Sequence, residues 1–315
     1  MTQSNPKAQI FQTPPPLWST LLRVLLTARR RPSPGVGLRA GEWSQPEVLI
    51  DPDRVRDYRA VCGFSATDRS IPITFPQLLG FRLLLRFFAS ADFPWSALGI
   101  VHLANDIRSL RPLQEGAQVR VVLRPGELLC HPKGQAFTLH LELSQDNQPV
   151  WSCVQVLLKL SRAAAVGPEW SERSWLSVST MGVHDAAVPE LVRTGGFEAP
   201  FDIGRRYAPI SEDYNPIHLW PWSARLLGVQ QPMAHGLWSL ARALAGLRDL
   251  PAEGRMRLRT VFASPLRLPG QASLWSSWRG DSLQFEVRDP TGERIHLRSV
   301  LDRDAAPFHT IQGDS

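Results

Sequence analysis

Lysine is nearly missing from this chain: Lys7, Lys133 and Lys159 are the only three in 315 residues, although lysine and arginine together number 35. The basic side is carried by arginine, and the net charge of +6 is scattered along predicted strands. No stripe of cations interleaved with aromatics is present, so nucleic acid is excluded as the expected partner. Cysteine is almost as scarce. Cys62, Cys130 and Cys153 form no paired spacing, which excludes a disulfide framework and a zinc site and points to reduced thiols in the cytoplasm. Long apolar runs are lacking too. The strongest, Leu17 to Leu26, is interrupted by Arg23 and followed by Arg29, Arg30 and Arg31. It is too short to span a bilayer, and its charges lie on the wrong side for a signal peptide. It reads as an amphipathic helix docked on the protein's own surface, with a weak membrane contact through residues 17–31 as the second reading.

What is there is a sizeable apolar fraction, 43%, enough for a buried core, and a length that suits about two domains. The 11 tryptophans are dispersed and read as packing residues. The chemistry concentrates in one place. Tyr207 to His218 reads YAPISEDYNPIH, and Ala234, His235 and Gly236 follow. Asp213 and His218 stand five apart with Asn215 and Pro216 between them, so the chain must turn and both side chains can enter one pocket. Asp, Asn, Pro and His at fixed offsets arise by accident in about one of several hundred chains of this length. Plainer roles exist for each residue: Asp213 as a helix cap, His218 and His235 as structural hydrogen-bond partners. Capping alone does not ask for His218.

With Tyr207 and Ser211 upstream, Ala224 downstream and the His235-Gly236 pair, the segment resembles the signature of the MaoC-like family, which contains (R)-specific enoyl-CoA hydratases and acyl dehydratases. The resemblance covers residues 194–302 well and 50–160 more loosely. It implies an α+β double hotdog, two antiparallel sheets each wrapping a long central helix. It also implies a lyase that hydrates trans-2-enoyl thioesters to (3R)-hydroxyacyl thioesters. In the family the Asp and His hold and activate one water, a role that carries to Asp213 and His218. Asn215 then orders the loop, and the Gly236 N–H polarises the thioester carbonyl. Ser211, His235, Tyr207 and Arg257 are the expected substrate-binding residues. The substrate would be an acyl-CoA or acyl-carrier-protein thioester, whose phosphates or acidic carrier Arg205, Arg206, Arg257 and Arg259 could meet. No cofactor and no metal are expected, and a homodimer is left open. A thioesterase and a non-catalytic acyl-thioester binding protein are the rival classes. One departure stands out: Glu212 occupies the position before Asp213 where the family usually has glycine, and it could narrow the pocket or tune Asp213 by like-charge repulsion.

An internal repeat is legible. Ile71 to Thr74 and the apolar run Gln77 to Ala89 can be set beside Asn215 to His218 and a helix over 236–247, which places Thr74 at His218 and Arg69 at Asp213. Hairpins close each half, at Phe137–Leu160 with a turn over 145–148 and at Leu283–Leu301 with a turn over 289–292. The expected organisation is a peripheral segment 1–47, a degenerate hotdog 48–160, a linker 161–196, a catalytic hotdog 197–302 and a tail 303–315. The stripe Leu78, Leu79, Phe81, Leu83, Leu84, Phe87, Phe88 reads as core helix or as lining for an acyl chain. His102 reads as core or rim.

Overall fold

The computed structural model describes residues 7–30, 37–161, 165–177, 190–248, 250 and 254–303. The first half comprises β1 (Lys7–Ile10), α1 (Leu17–Leu26), β2 (Gly41–Leu49), α2 (Pro52–Cys62), α3 (Phe81–Ala89), β3 (Ile100–Ser109), β4 (Gln118–His131), β5 (Gly134–Gln145) and β6 (Gln148–Leu160). A 3-10 turn, Phe75–Gly80, leads directly into α3. After α4 (Glu172–Leu176), the second half comprises β7 (Val192–Ala199), α5 (Ile203–Ser211), α6 (Pro221–Leu226), α7 (Gly236–Gly246), β8 (Met256–Phe262), β9 (Gly270–Arg279), β10 (Ser282–Arg288) and β11 (Ile295–Arg303).

The strands form one 11-stranded sheet in the order β1-β2-β4-β5-β6-β3-β8-β11-β10-β9-β7. Numbered within its own half, each set of five strands runs first, third, fourth, fifth, second, and the two sets meet second strand to second strand. The seam is antiparallel, from Ala104 against Val261 to Ser109 against Met256. The fold is therefore the same unit twice, fused through β3 and β8. β1 adds a parallel edge strand on β2.

Local sequence accounts for the elements. Asp51 caps α2 by accepting from the Asp53 N–H, with Pro52 at its first position and Gly63 left-handed at its end. The β5–β6 hairpin turns on Asp146 and Asn147, both at positive φ (51° and 59°), as a two-residue connection of this twist requires. In the second hairpin Asp289 Oδ1 accepts from the Glu293 and Arg294 N–H groups and closes the turn. The stripe on the first central helix packs in the core: Leu83 and Phe87 are fully buried, and Phe87 meets Trp43 and Phe93 edge-on at 4.8 and 5.3 Å. It serves as core helix.

Element bounds refine the expected ranges. β2 begins at Gly41, inside the 1–47 segment, because Trp43 is a fully buried core residue and Trp43 to Gln45 pair with β4. α1 lies against α3, burying Thr20 and Val24, while Trp18 and Leu26 on its other face are 67% and 72% exposed. Arg30 fixes the segment by donating to the carbonyls of Phe88, Ala89, Ser90 and Phe93, the C-terminal carbonyls of α3 and the turn beyond. Within 161–196, Trp170 and Trp175 cover the outer face of the seam, where Trp175 Nε1 donates to the Asn105 carbonyl. Most of the expected tail 303–315 lies outside the described residues.

Candidate active site

α5 carries Pro209, which removes one helical N–H, and the helix stops two residues later. Glu212 takes the left-handed conformation there, φ 64°, and its N–H caps the helix on the Ala208 carbonyl at 2.7 Å. A side chain at such φ costs on the order of 1 kcal/mol, which is why glycine is the easier residue at this position. The turn aims the next residue, Asp213, back across the helix end. Ser211 accepts from the Asp213 N–H, and Asp213 Oδ1 accepts from the Asn215 N–H, an Asx turn. Asn215 in turn caps the single 3-10 turn Pro216–His218 through the Ile217 N–H. Three short side chains thus fix the path from α5 to His218.

His218 is buried, and its Nδ1 lies 2.7 Å from the Met233 carbonyl. A carbonyl only accepts, so Nδ1 carries the proton and Nε2 keeps a free lone pair. His235, the N-cap of α7, donates from Nε2 to the Asp213 carbonyl at 3.0 Å, which leaves its Nδ1 without a hydrogen bond. The two imidazoles stack at 3.8 Å. Burial pushes the His218 pKa down, opposed by the Asp213 charge. Burial, then the neighbouring His218, pushes His235 well down. Both rings are neutral at neutral pH. Ligating atoms of Asp213, His218 and His235 all lie within 4.8 Å of one another, so these three could also hold a metal ion.

Gly236 opens α7, whose first N–H groups have no intrahelical acceptor. A Cβ at Gly236 would sit 3.1 Å from the Phe262 ring, so glycine lets β8 close over the helix start. Tyr207 is buried with its ring 5.0 Å from His235, and its hydroxyl, like His235 Nδ1, has no hydrogen-bond partner among the described residues. Ser211 donates to the Tyr207 carbonyl and braces the loop from within. Arg257 stands apart from this group: it makes a two-point pair with Asp106 across the seam at 2.9 and 2.7 Å, five strand residues from Phe262. Arg259 pairs with Asp302, and Arg205 lies over the Trp220 ring at 3.8 Å. Arg206 is exposed.

Some contributors carry no local sequence signal. A Cβ on Gly204 would come within 1.9 Å of the His218 carbonyl oxygen, so this glycine lets α5 touch the His218 backbone. His102, from the first half, places its ring 4.8 Å from Phe262 and bonds Asn105, which bonds Gln77. Arg82 and Arg54, also from the first half, reach Glu212. Only a pairing of distant segments reveals these contacts.

Comparison with known proteins fits this geometry. A family model described as MaoC like domain matches residues 199–271, which contain Asp213, His218 and Gly236. Over these residues the chain is similar to the MaoC-like family. The chain is 29% identical over 260 residues to 3-hydroxyacyl-thioester dehydratase X of Mycobacterium tuberculosis, covering 81% of this chain and 86% of that protein. The crystal structure of HtdX from the same organism superposes with a TM-score of 0.69 at 25% identity, over 84% of this chain and 100% of that one. Another protein of that organism, described as having a double hotdog fold, matches with a TM-score of 0.54 at 11% identity, over 82% of this chain and 93% of that one, and shares the fold alone. Among the described residues no helix is long and apolar enough to cross a membrane.

Proposed function

We propose that this protein is a hydro-lyase that interconverts trans-2-enoyl thioesters and (3R)-hydroxyacyl thioesters, with Asp213 and His218 as its acid/base pair. The observation that carries the reading is the convergence of the Asp213 carboxylate and the His218 ring beside the first turn of α7. The kinship with a 3-hydroxyacyl-thioester dehydratase supports the reaction class. In hydration, a water oxygen bonds to the third carbon and loses a proton, the electron pair of the double bond moves onto the thioester oxygen, and a proton reaches the second carbon. His218 Nε2 and the Asp213 carboxylate are the groups that take the first proton and deliver the second. The Gly236 N–H at the positive end of α7 meets the oxygen where the negative charge grows. Asn215 and Ser211 hold Asp213 in place, and His235 holds its carbonyl. The (3R) outcome follows the family.

Finer features are part of the same proposal. The acyl group arrives on coenzyme A or on an acyl carrier protein. Exposed Arg206 beside Arg205 is the candidate cation pair, and a carrier-linked substrate predicts turnover that falls steeply with salt. Arg257 is left out of the binding set because Asp106 already holds its guanidinium. Three free thiols, two of them buried, support a cytoplasmic location. The exposed apolar face of α1 supports a weak membrane contact or a homodimer contact, which vesicle co-sedimentation and solution mass separate.

The deciding experiment follows loss of the conjugated enoyl absorbance for a series of trans-2-enoyl-CoA esters, with chiral analysis of the product and a parallel assay for free thiol. Hydration to the (3R) alcohol by wild type and not by Asp213→Asn is expected. Thiol release without hydration would make the protein a thioesterase, and binding without turnover would make it an acyl-thioester carrier.

A further inference from the structure

Glu212 stands where the motif this segment resembles usually has glycine, and its side chain is not idle. Its carboxylate receives Arg82 of α3 through Nε at 2.9 Å to both oxygens and through Nη2 at 2.5 Å. Arg54 of α2 approaches the same carboxylate, with Nη2 at 3.9 Å, and donates from Nε to the Ile210 carbonyl at 2.8 Å. The cluster is largely screened from water, the Glu212, Arg54 and Arg82 side chains being 12%, 22% and 32% exposed. Both arginines belong to the first half, which lacks an acid/base pair. Their targets, Ile210 and Glu212, flank Ser211 and lead straight into Asp213.

We infer that Glu212 is a positioning residue: with Arg82 and Arg54 it forms a clamp by which the first hotdog holds the loop carrying Asp213 in its working geometry. The inference rests on the reading of Asp213 as half of the acid/base pair. It explains how a glutamate holds a left-handed position that glycine would take more easily: the arginine fork holds the side chain while the backbone turns. It also replaces like-charge repulsion as the effect of Glu212, since Arg82 and Arg54 oppose its charge at close range. Because a near-attack geometry is sensitive to displacements of an ångström, a looser loop lowers the rate of the bound complex rather than the binding of substrate.

The test uses the full chain and the trans-2-enoyl-CoA ester that wild type hydrates best. Glu212→Gln and Arg82→Met are each expected to lower kcat about tenfold with KM within about twofold, at unchanged circular dichroism. The two changes together should cost little more than either, because both break one contact. The reversed pair, Glu212→Arg with Arg82→Glu, should recover most of the lost kcat, which a general loss of stability would not allow. Glu212→Gly, which relieves the backbone but removes the tether, should lie below wild type. Wild-type kcat in Glu212→Gln and Arg82→Met overturns the clamp, and so does full additivity of the pair. If a single variant fails to fold, the reversed pair decides: a folded reversed pair with no recovery overturns it. A wild type that hydrates nothing defeats the functional reading first, whereas activity lost in Asp213→Asn but kept in Glu212→Gln defeats the clamp alone.

Discussion

The two halves place the same kind of helix entrance side by side in one molecule. In the first, Tyr58 of α2 and Thr74, just before the helical run into α3, close on each other in a 2.8 Å hydrogen bond. In the second, Tyr207 of α5 and His235, just before α7, lie ring to ring with the hydroxyl and Nδ1 both unbonded. The first entrance closes its buried hydroxyls on each other, whereas the second leaves a hydroxyl and a ring nitrogen for something else to meet. The connections differ as well. Residues 63–74 join the helices of the first half, whereas 212–235 do so in the second and bring in Asp213, His218 and α6. By place in the fold, Thr74 therefore corresponds to His235 and not to His218. Arg69 lines a surface cavity of about 320 Å³ with Ile73, Glu115 and Met256, at the Ser109–Met256 end of the seam. The longer connection is what separates the half with the chemistry from the half that supports it.

The sharpest way to break this comparison is to remove the chemistry from the longer connection. Asp213→Asn and His218→Ala should each lower kcat by about a hundredfold or more with the fold intact, and the double change should lose little further. Near-wild-type kcat in either would move the site elsewhere. Next in size is Gly204→Ala. α2 has no glycine and α5 needs one, because the added Cβ would meet the His218 carbonyl oxygen. A kcat loss of about tenfold in folded protein is expected as His218 shifts; no loss would mean that α5 does not set its place.

A third prediction concerns acid. Burial lowers the His218 and His235 pKa values and pushes His102 down to about 4. Unfolded histidines titrate near 6.5, so below that pH the unfolded chain binds more protons than the folded one. Stability is then complete above about pH 6.5 and is lost progressively as pH falls, with His102 charging at about 4. The melting temperature across that window checks this, and a flat profile would mean the rings are not held neutral. The smallest effect belongs to the supporting half: Thr74→Val should cost about 1 kcal/mol of stability by removing the hydrogen bond to the Tyr58 hydroxyl, with kcat unchanged. A drop in kcat there would mean that the two entrances are not independent.

Much of the fold was written in local pattern. The Asp-Asn turn, the caps of α2, the alternating strands and the doubled hairpins are short-range signals, and the strands lie close to where those signals put them. The register of the repeat was not legible in the same way, since matching Ile71–Thr74 to Asn215–His218 compares sequence offsets across an insertion. The site divides along the same line. Asp213, Asn215 and His218 announce themselves because one tight turn fixes their spacing. Arg257 read as a phosphate ligand because its charge was visible and its partner Asp106, 151 residues earlier, was not.

The sequence by itself determined the chemistry at hand, an acid, an imidazole and a glycine-opened helix, because those depend on residue type and on neighbours within a turn or two. Only the tertiary structure decided which nitrogen of each histidine is free, that both rings are buried and neutral, and that Glu212 is held by two arginines of the other half. Those properties depend on which atoms meet across 15, 22 and 130 residues of chain, and no local pattern encodes that.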